Sequence, residues 1–209
     1  MSKMPSEVLV VAAWEPELLR FRELATPGIR MSAVGIGLVD AAIGMARALA
    51  GRTPRLVVLV GTCGSARADL AVGSVVTARS VQLVDAATLE GRAALPFGSD
   101  PLLAEPSFLA EAQPVRIANP LGVTTDDALA SLIAAAGEVE HLETYAVARA
   151  CTLAGVPWAA VLGIANRVGS AGRDEWRAHH VGVSARAAEV ASGGVEAWLK
   201  RSTTAPSPA

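Results

Sequence analysis

Short stretches rich in Val, Ile, Leu and Ala recur along the chain at Val8–Ala13, Met31–Val34, Leu56–Val60, Ser74–Val84 and Trp158–Ala165. Apolar runs of this length read as strands buried on both faces. Between most of them the apolar positions return every three or four residues, as on a helix. This holds for Val39–Ala50, Ala128–Ala136 and Thr144–Ala154, and Asp174–Leu199 contains a last, long helix. Strands alternating with helices predict an α/β fold, a central mixed, twisted β-sheet covered by helices on both faces. Val75–Val84 is longer and partly alternating, which predicts a strand running on past the edge of the sheet. Ala86–Pro120 is weakly patterned and rich in Pro and Ala. It is expected to be loop and short helix, a wall over a site. No repeat or linker divides the chain, so a single three-layer domain over 1–200 is expected. The tail 201–209, "RSTTAPSPA", has the composition of a disordered segment.

Composition narrows the functions open to such a fold. The 209 residues are 52% hydrophobic and 18% charged, enough to bury one sizeable core. A net charge of −2 gives no electrostatic footprint for nucleic acid or an anionic membrane. No apolar run reaches the length of a membrane span. The N-terminal apolar run is broken by Trp14-Glu15-Pro16 and lacks the core and cleavage site of a secretion signal. Cys63 and Cys151 sit in apolar surroundings without ligand-like spacing, which suits buried thiols in a reduced, cytoplasmic protein. With three histidines and no Cys/His cluster, neither a metal nor another cofactor is expected.

The chemistry gathers at strand ends. "VGIG" (Val34–Gly37), "VGTCGS" (Val60–Ser65) and "IANRVG" (Ile164–Gly169) each end an apolar run in small or polar residues. In open α/β sheets that is where ligands bind. Glycine lets backbone amides approach a ligand closely, so Gly35, Gly37, Gly61, Thr62 and Gly64 are candidates for a sugar or anion cradle. "VGIG" lacks the third glycine of a dinucleotide fingerprint. Asn166 either turns the chain or presents an amide to a ligand. Glu17 follows Pro16 in a first helical turn, where a carboxylate is also stabilised by the helix dipole. Glu143 is expected on a helical face with Val147, Ala150 and Ala154. A carboxylate in such company needs a partner, either an arginine or a polar ligand such as sugar hydroxyls. Asp126 and Asp127 are expected to cap the helix that follows them.

Taken in order, "VVAAWEPEL", "VGIGLVDAA", "VGTCGSARADLAVGSVV" and "VEHLETYAVARACTLAGVPWAAVLGIANRVG" resemble the motifs of the nucleoside phosphorylase and nucleosidase superfamily. The resemblance runs from Val8 to about Leu199. It implies a mixed sheet flanked by helices, a purine nucleoside substrate, and a homodimer or higher homo-oligomer. Glu17 matches the carboxylate that activates water in the nucleosidases. Leu142 and Glu143 match a Met-Glu pair whose glutamate binds ribose hydroxyls. Asn166 falls where the nucleosidases carry a catalytic aspartate. Val123, Leu129 and Trp176 are expected around the base. "IANRVGSAGRDEW" looks most like the futalosine hydrolases of menaquinone biosynthesis, where Ser-Asn and a downstream Asp-x-Trp are typical; here Ala165 replaces the serine, and Glu175 lies between Asp174 and Trp176.

The resemblance implies cleavage of an N-glycosidic bond, with water or phosphate as co-substrate. The phosphorylases carry an N-terminal Gly-Asp-Pro segment and an arginine before the glycine turn. Here the segment is absent and the second position is Leu59, so hydrolysis is expected. "GTCGS" itself is more phosphorylase-like, which keeps phosphorolysis as the alternative. A nucleoside-binding protein without catalysis is the alternative from another class. An amide at Asn166 has two donor hydrogens, which suits the N7 and O6 acceptors of a 6-oxopurine.

Overall fold

The computed structural model describes residues 8–24, 27–95, 100–108 and 112–204. In chain order its elements begin with β1 (Val8–Ala12), a 3-10 turn (Glu15–Leu18), α1 (Leu19–Glu23), β2 (Ile29–Ala33), α2 (Gly37–Leu49), β3 (Leu56–Ser65), β4 (Val75–Leu83) and α3 (Ala86–Leu89). They continue with β5 (Leu102–Leu103), β6 (Gln113–Asn119), α4 (Asp127–Ala136), β7 (Val139–Glu140), α5 (Thr144–Ala154), β8 (Trp158–Arg167) and α6 (Gly172–Thr204). The expected apolar runs all become strands. The weakly patterned stretch does not stay loop and short helix, because it also supplies β5 and β6. Helix α6 carries the chain through Thr204, so the expectation of a disordered tail from Arg201 fails for 201–204. Residues 205–209 lie outside the described residues.

The strands form one mixed sheet, with β2, β1, β3 and β8 parallel to one another. From β8 the pairing passes antiparallel to β4, parallel to β6, parallel to β7, and antiparallel back to β3. The sheet thus closes a ring on one side and opens into β1 and β2 on the other. Strand β4 does not overhang the sheet as its length suggests. One of its edges is paired with β6, while the other is shared by β8 at Val75–Thr77 and β5 at Ser80–Val81.

Burial on both faces explains the unbroken apolar sequences of β1, β3 and β8. Val57 and Leu59 point to one face, where Met45 of α2 and Val147 and Cys151 of α5 cover them. Val58 and Val161 point to the other, against Ala187, Ala188, Ala191 and Val195 of α6. Small residues let α6 lie close to the sheet. At Gly163 a Cβ would stand 2.2 Å from Val183 Cγ1, so the glycine is what admits the helix. Cys63 and Cys151 are buried free thiols, and burial pushes both up from the ordinary thiol range.

Candidate active site

The ring closure creates the site. On one edge β3 pairs with β1 as far as Leu59, and with β7 only from Gly64. Between them the edge is bare, and a buried backbone N–H there must find another partner. The N–H of Thr62 donates to Oε1 of Glu17 at 3.1 Å, and the Thr62 hydroxyl reaches the same oxygen at 3.3 Å. Pro16 lies in the 3-10 turn that brings Glu17 back over this gap. Gly61 leaves room for the carboxylate, since a Cβ there would lie 3.0 Å from Oε1. Oε2 of Glu17 is buried and has no donor among the described residues. Burial and the nearby Glu143 raise the Glu17 pKa from 4.5 to about 8.

Glu143 stands at the N-cap of α5, one position before the helix on whose face it was expected. Its backbone carbonyl takes the first helical bond, from Val147. Among the described residues no arginine pairs with its carboxylate. Oε1 instead accepts a 2.7 Å bond from the N–H of Gly37, at the positive end of the α2 dipole. Oε2 lies 3.3 Å from Nδ1 of His141. Burial lowers the His141 pKa, although the Glu143 charge works the other way. The start of α5 is pinned by buried Asn119 at the end of β6. Asn119 donates to the Leu142 carbonyl at 2.9 Å and accepts from the Tyr145 N–H at 2.8 Å.

Asn166 lies at the end of β8, where a bulge re-aims it. Ile164 is opposite Cys63 and Asn166 opposite Gly64, leaving Ala165 as the extra residue. The bulge turns the amide toward Gly64, where a Cβ would stand 2.9 Å from Nδ2. A Cβ at Gly172 would stand 3.0 Å from the same atom. Nδ2 donates to the Arg167 carbonyl at 2.8 Å, which fixes which side of the amide is nitrogen. The following loop is tied at both ends. Glu175 accepts from the Arg167 backbone N–H at 2.7 Å and pairs with its guanidinium. Asp127, expected as a cap beside Asp126, instead accepts from the N–H and hydroxyl of Ser170. Asp126 does cap α4, through the Leu129 N–H.

These elements surround a cavity of about 550 Å³. Of the expected residues it brings together Glu17, Thr62, Gly64, Val123, Leu142, Glu143, Asn166 and Trp176. Gly37 and Gly61 stand behind it, one holding Glu143 and the other making space for Glu17. Gly35 and Leu129 are not on its wall. Gly35 is needed for the turn into α2, with φ of +109° and a Cβ position 2.7 Å from that of Asp40. Leu129, expected in a base pocket, packs with Val84, Ala118 and Ile133 instead. Trp176 stacks on His180 at 4.1 Å and donates from Nε1 to the Thr62 hydroxyl at 3.1 Å. That hydroxyl therefore accepts from Trp176 and donates to Glu17. His141, Glu140 and Arg173 also line the cavity and were not anticipated. Both oxygens of buried Glu140 are held by Thr124, through its N–H and its hydroxyl.

Residues 18–142 match the phosphorylase superfamily, and the chain belongs to it. The matched segment runs between Glu17 and Glu143, which lie just outside it. Among solved structures the chain is similar to Helicobacter pylori 5′-methylthioadenosine/S-adenosyl homocysteine nucleosidase, with a TM-score of 0.81 and 15% identity over 91% of this chain and 97% of that one. Futalosine hydrolase of Helicobacter pylori strain 26695 gives the same TM-score, identity and coverage. A nucleosidase for the same two compounds from Colwellia psychrerythraea 34H, in complex with adenine, gives 0.80 at 18% identity over 90% and 94% of the two chains. At these identities the likeness is one of fold. No match is found among curated proteins. Among the described residues no helix is long and apolar enough to cross a membrane.

Proposed function

We propose that this protein hydrolyses the N-glycosidic bond of a purine nucleoside. The observation that carries the reading is the pair of buried carboxylates in one cavity. Glu17 is held through Oε1 with Oε2 unpartnered, and Glu143 is held by the α2 amide beside it. As the C1′–N9 bond stretches, its electron pair moves to the base and the sugar gains cationic character. Glu17 takes a proton from the attacking water, whose oxygen bonds to C1′. The departing base takes up one proton from solvent, Glu17 gives the proton it took from water back to solvent, and the free sugar carries the hydroxyl. Glu143 accepts from ribose hydroxyls and offsets the positive sugar. The second N–H of Asn166 donates to N7, where charge accumulates.

The base is proposed to be a 6-oxopurine, as in futalosine-like nucleosides. Asn166 cannot give both hydrogens to the base, as the sequence suggested, because one is held by the Arg167 carbonyl. The second donor for O6 is supplied by Arg173, which lines the cavity next to Gly172 and has donors only. Two features support water over phosphate. Leu59 is fully buried where a phosphorylase would place a cation, and the Thr62 amide is engaged by Glu17. The test is the product formed from inosine, adenosine, methylthioadenosine and futalosine, with and without phosphate. Free sugar, independent of phosphate, is expected, with futalosine or inosine preferred. Ribose 1-phosphate formed only with phosphate would make it a phosphorylase. Tight binding without turnover would make it a binding protein.

The working unit is proposed to be a homodimer or higher homo-oligomer. Ile36 and Val123, both on the cavity wall, are 63% and 58% exposed, an apolar rim that a second copy would cover. The solution mass by light scattering should be a multiple of the 21.3 kDa chain, and a monomer at micromolar concentration would refute this.

A further inference from the structure

We infer that His141 is a positioning residue: its ring takes over the capping of α5, which leaves the carboxylate of Glu143 free to receive the ribose. The inference rests on the ribose-binding reading of Glu143. Glu143 occupies the N-cap position, where an acidic side chain ordinarily accepts from the first-turn amides. It makes no such bond. His141 replaces it. Nδ1 lies 3.3 Å from the N–H of Glu143, 3.2 Å from that of Thr144 and 2.9 Å from the Thr144 hydroxyl. Backbone N–H groups can only donate, so Nδ1 must be the acceptor and the ring hydrogen sits on Nε2. Burial favours this neutral ring.

The tautomer changes the meaning of the 3.3 Å approach between Nδ1 and Oε2 of Glu143. With its lone pair turned to the helix, Nδ1 has no hydrogen to give. The contact is therefore not an ion pair, and Oε2 still requires a donor. Oε1 is already satisfied by Gly37. A pair of sugar hydroxyls supplies the donor that the protein withholds. Without the ring acceptor, the Glu143 side chain is the nearest alternative cap for the exposed amides. Its carboxylate would then turn from the cavity to the helix.

Formycin B, the C-nucleoside analogue of inosine whose C–C link resists hydrolysis, reports sugar and base contacts together. Hypoxanthine reports base contacts alone. His141→Leu should weaken formycin B by roughly 10-fold or more, the scale of a hydrogen bond to a charged group, while hypoxanthine changes less than about 2-fold. His141→Asn, whose carbonyl oxygen can accept where Nδ1 does, should restore most of the formycin B affinity. Equal loss for both ligands, no loss for either, or an Asn variant no better than Leu would overturn the inference. If His141→Leu does not fold, the Asn variant decides alone, and a large loss of formycin B affinity there overturns it. Glu143→Gln separates the two levels. If it leaves formycin B binding intact, the ribose reading fails. If it weakens binding while His141→Leu does not, only the role of His141 fails.

Discussion

Glu17→Gln should lower kcat by about 10²- to 10⁴-fold, the usual contribution of a general base, while formycin B still binds. The amide keeps the shape of the carboxylate and can still accept from Thr62 through its oxygen. It cannot take a proton from water. The pH dependence carries an independent signature. Burial and Glu143 hold the carboxyl at about 8, so the active, ionised form grows as pH rises and activity should level off above that value. Stability runs the other way. Folded Glu17 keeps a proton that the unfolded chain, at an ordinary value of 4.5, releases. Between 4.5 and about 8 the folded state holds more protons, so stability falls as pH rises through that window. The Gln variant lacks this loss. Its melting temperature should match the native protein near pH 4.5 and exceed it near pH 9. Near-normal turnover in the variant would reduce Glu17 to a carboxylate at a helix start.

The elements that carry the site differ in how plainly the sequence announces them. β1, β3 and β8 are buried on both faces, and nothing polar interrupts them until the site begins. β6 is harder to see. Pro114 and Arg116 break its apolar run, because its first residues are exposed and only Val115, Ile117, Ala118 and Asn119 are buried. With the strand went Asn119, which anchors Leu142 and Tyr145. A signal was present: Ile117-Ala118-Asn119 repeats the Ile164-Ala165-Asn166 pattern, an apolar strand ending in an amide. β7 is two residues long and exists only because ring closure needs it. Glu143 was legible as a buried carboxylate but not as an N-cap, since its side chain takes no first-turn amide and those of Thr144 and Tyr145 go to His141 and Asn119. Leu129 has an apolar side chain at helical spacing, and spacing does not tell a cavity from a core. Asp127 shows the same limit, because its partner Ser170 lies on a distant loop. Local pattern located the strand ends and the polar residues they carry. The bare edge of β3 depends on pairings between distant segments, and the tautomer of His141 on how its next three residues turn into α5.

Asn166→Asp should shift base preference away from 6-oxopurines and toward 6-aminopurines. In the native protein the amide has little freedom. Nδ2 is held by the Arg167 carbonyl at 2.8 Å, and the Cβ positions of Gly64 and Gly172 lie within 3.0 Å of it. One N–H and Oδ1 remain for the base, and the N–H meets N7. An aspartate in this place sets a carboxyl oxygen against the same carbonyl. Ionised, it is repelled by that carbonyl and by the lone pairs of N7 and O6. Protonated, it has a single O–H to give. Bonded to Arg167, it offers the base only acceptors, which a 6-amino group can satisfy and O6 cannot. Bonded to N7, its second oxygen again accepts from a 6-amino group and opposes O6. The native Oδ1 is also an acceptor, offset at O6 by the Arg173 donor; a carboxyl that is charged, or that turns only acceptors to the base, tips that balance further against hypoxanthine relative to adenine. Stranding one buried polar group costs roughly 1–3 kcal/mol, so the ratio of kcat/KM for inosine to that for adenosine should fall by about 5- to 150-fold. Total activity should fall as well, but the ratio isolates base reading from folding and from sugar contacts. A ratio equal to that of the native protein would mean that Asn166 does not read the base and that its amide serves only to hold Arg167 at the end of the strand.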